Sequence, residues 1–467
     1  MPIQISRPGG QLSSIRPDGS RVPIHPSDVH GRFITARRVV FAILIAVYAL
    51  APLIRIGGHP AIHLDVAQRR FFLLGQTYNA QDFWMVILIA LNLIFGLLAV
   101  TTWRGRLWCG WACPQTVFLE SFFRPIERLF DGPRERRMKR ETAPRNARFY
   151  VRAILKHAAY LTMAWLLSHV ALALFLSVHD LLGVMVDGPA AHPVAFGWAV
   201  AVTGVLYFNF AWFREQFCVV LCPYGRLQSV MHDRDSIVIG YDAKRGEPRG
   251  PLLKAGIQGP PRGDCVDCGK CVTACPTAID IRHGLQMECI ACAQCVDACD
   301  EVMTKIHKPI GLIRYASSNE LEGKPTRQVR PRTIVYSVLF TIVFTVLTAS
   351  LLTRKSFEAN LLRLPGLPYF VEGTEVRNSL QIHLINKSPD TARYTLTIDA
   401  APTIRIAIAS QAFELESLTQ KQIPLFVWAR ANELHAGQKV QVRITDETHH
   451  TERLVEMPLL GPPGASK

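Results

Sequence analysis

The 467-residue sequence predicts a multi-domain membrane protein. It reads as five transmembrane α-helices, a cysteine-bearing α+β module inserted on the cytoplasmic side before the last span, and an immunoglobulin-like β-sandwich at the C-terminus. Three observations predict this. Five apolar runs are long enough to cross a bilayer; all twelve cysteines fall in four clusters between Cys109 and Cys299; and beyond the last apolar run the pattern turns to short segments of period two. With 49% hydrophobic and 19% charged residues and a mean hydropathy of +0.16, a disordered chain and an ordinary soluble enzyme are both excluded.

The apolar runs are Val39–Ile54, Trp84–Thr102, Ala158–Val178, Val194–Phe213 and Thr333–Leu352. Thirty-eight residues precede the first, and no small-residue cleavage site follows it, so it reads as a span and not a cleavable signal. Lys plus Arg number six in residues 1–38, three in 55–83, twelve in 103–152, none in 179–193 and seventeen in 214–332. High and low alternate as the positive-inside rule requires. The expected domains follow: a cytoplasmic tail (1–38), four transmembrane helices (39–213), a cytoplasmic segment (214–332) with its cysteine module at about 256–306, a fifth span (333–352), and an outer domain (353–467). Arg354 and Lys355, just past the last span, mildly oppose that order. Most of the formal charge of +15 is therefore topological, and no nucleic-acid partner is expected.

The strongest motif is Cys265-Val-Asp-Cys268-Gly-Lys-Cys271-Val-Thr-Ala-Cys275-Pro276, repeated as Cys289-Ile-Ala-Cys292-Ala-Gln-Cys295-Val-Asp-Ala-Cys299-Asp300. Each is the C-x2-C-x2-C-x3-C run of bacterial two-cluster ferredoxins, whose fourth cysteine serves the other cluster. Cys265, Cys268, Cys271 and Cys299 are thus expected to hold one [4Fe–4S] cluster, and Cys275, Cys289, Cys292 and Cys295 a second. Structural zinc also uses C-x2-C pairs, but tandem copies with x2-x2-x3 spacing favour iron–sulfur. Asp300 stands where proline is usual, which changes the turn and no ligand.

A second pair of motifs reads Trp-x5-Cys-x3-Cys-Pro: Trp103 to Cys109, Cys113 and Pro114, and Trp212 to Cys218, Cys222 and Pro223. Both follow an out-to-in span, so two helical hairpins should present matching dithiols on one membrane face. The proline biases the preceding cysteine away from α and opens the next helix, expected at Pro114–Phe123 as an amphipathic helix on the membrane. Among Arg104, Arg106, Arg214 and Arg226 these thiols are expected to be acidified. They are candidates for a redox dithiol pair, a copper site or a further cluster, because thiolates suit all three; inert packing is the plain alternative. His157, His169, His179 and His192 read as interfacial or packing residues, with the intramembrane His169 the best of them for a metal role.

In the C-terminal region Gln381–Asn386, Ala392–Ile398, Ile404–Ile408, Gln422–Trp428 and Lys439–Ile444 alternate as strands, and their spacing suits a sandwich without an inter-sheet disulfide. Such a domain docks partners or caps the last span.

The order Trp-Cys109-Gly-Trp-Ala-Cys113-Pro-Gln-Thr, Cys218-x3-Cys222-Pro-Tyr-Gly-Arg-x-Gln, and the double run ending Cys299-Asp-x-Val-Met303 resembles the FixG/CcoG/RdxA family over nearly the whole chain. These are membrane polyferredoxins, accessory to cytochrome c oxidase. NapH-like polyferredoxins share the cysteine motifs but usually lack the last domain. The resemblance implies a bacterial inner-membrane protein acting in assembly of cbb-type oxidase, with oxidase subunits or copper-delivery proteins as partners. It also implies reduction of Cu(II) to Cu(I), with copper as a further bound metal. The alternative is an electron conduit between a quinone or ferredoxin pool and another membrane enzyme.

Overall fold

The computed structural model describes residues 24–56, 59–66, 70–73, 76–78, 82–252, 261–388, 390–399, 403–431, 433–435 and 438–462. The start of the expected 256–306 module lies outside them. The chain divides into two compact units, Met1–Leu53 with Ile87–Thr345, and Ile54–Val86 with Val346–Lys467.

Among the described residues four helices are long and apolar enough to cross a membrane: Arg32–Leu50, Phe83–Arg104, Pro193–Phe213 and Pro331–Leu352. The run Ala158–Val178 behaves differently. Its helix starts earlier, at Ala147, where Asn146 accepts from the amide of Phe149 at 3.0 Å, and it stops at Leu172. A new helix, Val178–Asp187, begins after five intervening residues, capped by Ser177. Only fifteen residues of the apolar run are thus in the first helix, and its remaining turns carry Arg148, Arg152 and Lys156.

The segment after Cys113 is helical, as Pro114–Phe118, a π turn at Leu119–Phe123, and Arg124–Asp131. Part of its apolar side is covered by protein. Leu119 and Phe123 are buried with Tyr160, Ala164, Leu167 and Phe210, and the Phe123 and Phe210 rings stack at 4.6 Å. Burying one such aromatic stabilises the packing by about 1.5–3 kcal/mol. The polar side is an ion network: Glu127 accepts from Arg214 at 3.0 Å and pairs with Arg137 at 3.4 Å, while Arg124 pairs with Glu120 at 3.1 Å and with Glu215.

The cysteine module is framed by an antiparallel pair, Val238–Tyr241 with Ile313–Ala316, and by the helices Lys270–Ala274 and Gln294–Lys305. Ile239, Ile281, Val296, Met303, Leu312 and Ile313 form its core. The framing strands fall outside the 256–306 range expected from cysteine spacing, because Ile239 and Ile313 join the module through burial.

The second unit contains the Ig-like domain. One sheet orders Arg405–Ile408, Gln420–Arg430, Glu375–Asn386 and Phe357–Arg363, with Phe370–Glu372 also on Glu375–Asn386. The other orders Ala412–Leu415, Ala392–Asp399, Lys439–Asp446 and Thr451–Pro458. All five expected strands are present. Pro424 sits inside a long strand without breaking it: it pairs with Gln381 on one side, and the neighbouring strand on the other side ends at Ile408 opposite Leu425. The inward residues Leu380, Ile382, Leu396, Leu425, Val427, Val442 and Ile444 close the core between the sheets. In the same unit buried Asp82 accepts from Arg354 at 3.0 Å and Lys387 at 2.8 Å, so Arg354 is held in an ion pair.

Candidate iron–sulfur and thiol sites

The two cysteine runs fold as near-copies. Asp267 and Ala291, each just before the second cysteine of its run, have φ of 51° and 54°; Gly269 and Ala293, each just after it, have φ of 68° and 60°. Left-handed residues alternating with ordinary ones curl successive amide groups toward one side, making a concave nest for negative sulfur. The amides of Ala291 and Gln294 accordingly face the sulfurs of Cys289 and Cys292.

The runs then exchange their last cysteines. Cys265, Cys268, Cys271 and Cys299 line one small cavity, walled by Tyr241, Val302, Met303 and Ile313. Cys275, Cys289, Cys292 and Cys295 line the other, with Cys271 at its edge and Ile239, Ile279 and Ile281 as walls. Burial pushes the thiols of Cys271 and Cys289 up to about 12 and that of Cys292 to about 11. Thiolates there need a compensating cation. Among the described residues no three His, Cys, Asp or Glu side chains converge as a lone ion requires. Sulfurs spread round a cavity, with amides aimed at them, fit a multi-iron cluster.

The membrane-proximal cysteines also form near-copies. Cys113 (φ −64°, ψ 126°) and Cys222 (φ −68°, ψ 113°) are both extended, and each precedes a helix opened by proline, Pro114–Phe118 and Pro223–Met231. Cys109 lies on the short helix Leu107–Trp111, and Cys218 in the π turn Phe217–Leu221. The fold brings all four together. Cys113 and Cys109, from the other motif, lie near enough to Cys218 to act on it together with its own partner Cys222. Gly225 lets the helix after Pro223 pack closely on its own motif: a Cβ there would lie 2.6 Å from the Cys218 carbonyl oxygen.

Acidification of these thiols is corrected by the structure. Burial pushes Cys109 up to about 11, and Cys113 and Cys218 also rise. Arg106 does favour the Cys109 thiolate, but desolvation and the neighbouring cysteines outweigh it. Arg214 is spent on Glu127 and, at 2.9 Å, on the Tyr160 hydroxyl, while Arg104 lies 4.5 Å over the Trp103 ring. The side chain of Arg226 lies outside the described residues.

The two thiol systems are joined by residues that cysteine spacing alone does not reveal. Arg106 donates to the carbonyl oxygens of Met287 and Cys289, the latter at 3.3 Å, and to that of Gly225 at 3.1 Å. Gly110 is pressed on the second run; a Cβ would lie 2.6 Å from the Ile290 oxygen and 2.9 Å from the Ala291 oxygen. Arg37 donates to the Gly110 oxygen at 2.9 Å. The Trp111 indole donates to the Tyr315 hydroxyl at 3.1 Å, which donates to the Ala291 oxygen at 2.6 Å. Asp297, between Cys295 and Cys299, accepts from the amides of Phe33 and Ile34 at 3.2 and 2.8 Å, capping the first apolar helix. A usable signal existed: Asp297 stands where the first run has Thr273, and Arg106 lies three residues before Cys109.

The histidines are placed as packing groups. His157 bonds the Tyr207 hydroxyl at 2.9 Å, His169 bonds the Trp165 carbonyl at 2.8 Å, and His192 pairs with Asp187 at 3.1 Å; His179 is exposed.

Three family models match the chain. A 4Fe-4S binding domain covers residues 83–133, a 4Fe-4S dicluster domain 213–318, and the Ig-like fold at the C-terminus of FixG 347–460. Among curated proteins the chain is 34% identical to Protein RdxA of Cereibacter sphaeroides, covering 84% of this chain and 85% of that one. It is 33% identical to Protein RdxB of the same organism, covering 86% and 87%. It is also 34% identical to nitrogen fixation protein FixG of Rhizobium meliloti, covering 84% and 82%.

Proposed function

The chain belongs to the FixG/RdxA family of membrane iron–sulfur electron-transfer proteins, and from that premise we propose that it reduces Cu(II) to Cu(I) during maturation of cbb-type cytochrome c oxidase. Cys265, Cys268, Cys271 and Cys299 hold one [4Fe–4S] cluster, and Cys275, Cys289, Cys292 and Cys295 the other. A bound cluster supplies one electron at a time, and one electron turns one Cu(II) into one Cu(I), the electron being replaced by a reduced carrier of quinol or ferredoxin type. Cys109, Cys113, Cys218 and Cys222 are the exit, where soft sulfur favours Cu(I) over Cu(II).

One observation carries this reading: Arg106 and Gly110 seat the Cys109 loop directly on the loop from Cys289 to Cys292. A thiol group clamped to a cluster-binding loop has the arrangement of an outlet, and Cys268, exposed in the ligand set of the other cluster, offers a separate inlet.

The topology is part of the proposal. The Ala147–Leu172 helix, 26 residues long, serves as a fifth span, its Arg148, Arg152 and Lys156 end on the cytoplasmic face. The cluster module is then inserted before the last span on the inner side of the bacterial cytoplasmic membrane, and the Ig-like domain is periplasmic. Arg354, just past the last span, is held by buried Asp82.

The test is Cu(II) reduction by anaerobically purified, dithionite-reduced protein, followed with a Cu(I)-specific chelator. Stoichiometric reduction that disappears in Cys109→Ser/Cys218→Ser supports the proposal. Cluster reduction with no Cu(I) formed overturns it in favour of a conduit to another membrane enzyme.

A further inference from the structure

We propose that Arg37, on the Arg32–Leu50 helix, is the fixed counter-charge of the second cluster (Cys275, Cys289, Cys292 and Cys295), and that it makes this cluster accept an electron ahead of the first (Cys265, Cys268, Cys271 and Cys299). The proposal rests on the ligand sets given above and deepens that reading by assigning the direction of flow inside the module.

Arg37 is wholly buried, at 0% exposure. Its Nε donates to the Gly110 oxygen at 2.9 Å, and its guanidinium carbon lies 5.0 Å from the centre of the Phe41 ring. With the Gln294 amide turned so that its nitrogen donates to the Ala274 oxygen at 2.8 Å, the Gln294 oxygen accepts from Arg37 Nη1 at 3.1 Å. Nη2 is buried without an acceptor among the described residues. No described carboxylate pairs with this cation. Two on neighbouring elements are engaged elsewhere, Asp297 by the amides of Phe33 and Ile34, and Glu120 by Arg124 at 3.1 Å.

An unpaired guanidinium in a dry interior is costly enough that opposite charge must face it. Here that charge is the second ligand set. Gln294 lies between Cys292 and Cys295, and Gly110 is pressed on the Ile290 and Ala291 oxygens, so both residues that bond Arg37 belong to the cluster-binding loop or touch it. The charge of Arg37 correspondingly favours the Cys292 thiolate. Arg106, at the Cys289 oxygen, adds a second cation, with Glu288 beside it. A clamp alone would need only a hydrogen-bond donor; a permanent cation also stabilises a negative cluster.

The first ligand set has no such charge. Arg282 lines its cavity but is neutralised by Asp280 at 2.7 Å and by Asp267, which stands between Cys265 and Cys268. Lys270, the counterpart of Gln294, is exposed and pairs with Glu301 at 3.6 Å. Reduction adds one negative charge to a cluster that is already negative, so nearby charge and solvent exposure set its potential together. Burial alone makes the second cluster the harder to reduce, because Cys289, Cys292 and Cys295 are buried while Cys268 is exposed. A buried cation, weakly screened, reverses that order. One electron leaves the first cluster, which is oxidised, and enters the second, which is reduced, with no bond made or broken. The reduced carrier of quinol or ferredoxin type then refills the first.

The experiment is a potentiometric titration of the full-length protein, purified anaerobically in detergent, with each cluster followed by its paramagnetic signal and no copper present. Cys265→Ser, which disturbs the first cluster, identifies the signal of the second. In the wild type that signal should appear at the higher potential. In Arg37→Gln, which keeps a donor but no charge, the reduced-to-oxidised ratio of the second cluster at fixed potential should fall about tenfold, a shift of about 59 mV for one electron. Iron content and the first cluster should be unmoved, and Arg37→Lys, which keeps the charge, should recover most of the shift. A first-cluster signal at the higher potential in the wild type overturns the proposal, and this arm needs no Arg37 variant to fold. So does an Arg37→Gln titration that leaves the second cluster unshifted, moves both clusters equally, or is matched by Arg37→Lys. Cu(II) reduction on the same samples separates the two proposals. Clusters ordered as stated without Cu(I) formed leave this one standing and remove the copper reading; Cu(I) formed with an unshifted Arg37→Gln titration does the reverse.

Discussion

The guanidinium of Arg106 donates to the main-chain oxygen of Cys289 at 3.3 Å, and the same cation stabilises negative charge on Cys109. One side chain thus bonds a residue of the second ferredoxin run and lends its charge to a thiol of the membrane-proximal set. Its hydrogen bonds to Met287 and Gly225 fix it between them. Because guanidinium forks hold several acceptors at once, no other residue type reproduces this clamp.

Arg106→Lys should therefore be damaging although charge is kept. Losing hydrogen bonds from a buried cation costs about 1.5–3 kcal/mol, spent on separating the Cys109 loop from the Cys289 loop. Iron content should stay at the wild-type level while the rate of Cu(II) reduction falls by about tenfold or more, a barrier change of about 1.4 kcal/mol. An unchanged rate would show that the clamp plays no part in transfer.

Asp297 should matter for docking and not for cluster assembly. It caps the Arg32–Leu50 helix from a distant part of the chain, and removing a capping acceptor costs about 0.5–2 kcal/mol. Asp297→Ala should lower the thermal midpoint and expose the segment near Gly31 to protease, with iron retained. Asp297→Asn, which keeps an acceptor, should recover part of the loss.

Cys275→Ser should destroy the cluster associated with the other run. Cys275 follows Cys271 in sequence but lines the cavity of Cys289, Cys292 and Cys295. The spectroscopic signal remaining in this variant should match the one lost in Cys265→Ser. If both variants lose the same signal, the exchange of fourth cysteines is wrong.

His232 should make stability sensitive to mild acid. Burial, helped by Arg106 and Arg330 and opposed by Asp233, pushes its pKa down to about 4 from the ordinary 6.5. Below pH 6.5 the unfolded chain binds a proton that the native state refuses, so stability falls as pH drops toward 4. Above 6.5 the group is neutral in both states and has no effect. His232→Gln should flatten the pH dependence of the thermal midpoint between pH 7 and pH 5.

Topology is testable by fusion. A reporter after Lys467 should be active only outside the cytoplasm, and one near Gly250 only inside. The same side for both would mean that the Ala147–Leu172 helix or another proposed span does not cross.

Much of this organisation was legible in the sequence because it is written in short-range pattern. Apolar length marked four helices long enough to cross a membrane, period two marked the strands of the sandwich, and the x2-x2-x3 spacing marked both ferredoxin runs. Cys-Pro predicted the extended cysteine and the helix after it, since proline restricts its neighbour whatever surrounds it. Where pattern and context compete, sequence reading ran out. The segment after Pro114 is amphipathic, but whether lipid or protein covers its apolar side depended on Phe210 and Tyr160, far along the chain.

The sequence by itself determined the long apolar helices, the strands of the sandwich and the donor atoms, twelve thiols in four clusters. Only the tertiary structure decided which thiols share a pocket and in what state. Cys218 faces Cys113 because two distant motifs converge, and nearby arginines fail to ionise these thiols because desolvation outweighs them. Spacing is a property of neighbours along the chain, whereas charge state and coordination depend on everything within a few ångströms in space, and Arg106, Gly110 and Asp297 meet the second ferredoxin run only after the chain has folded.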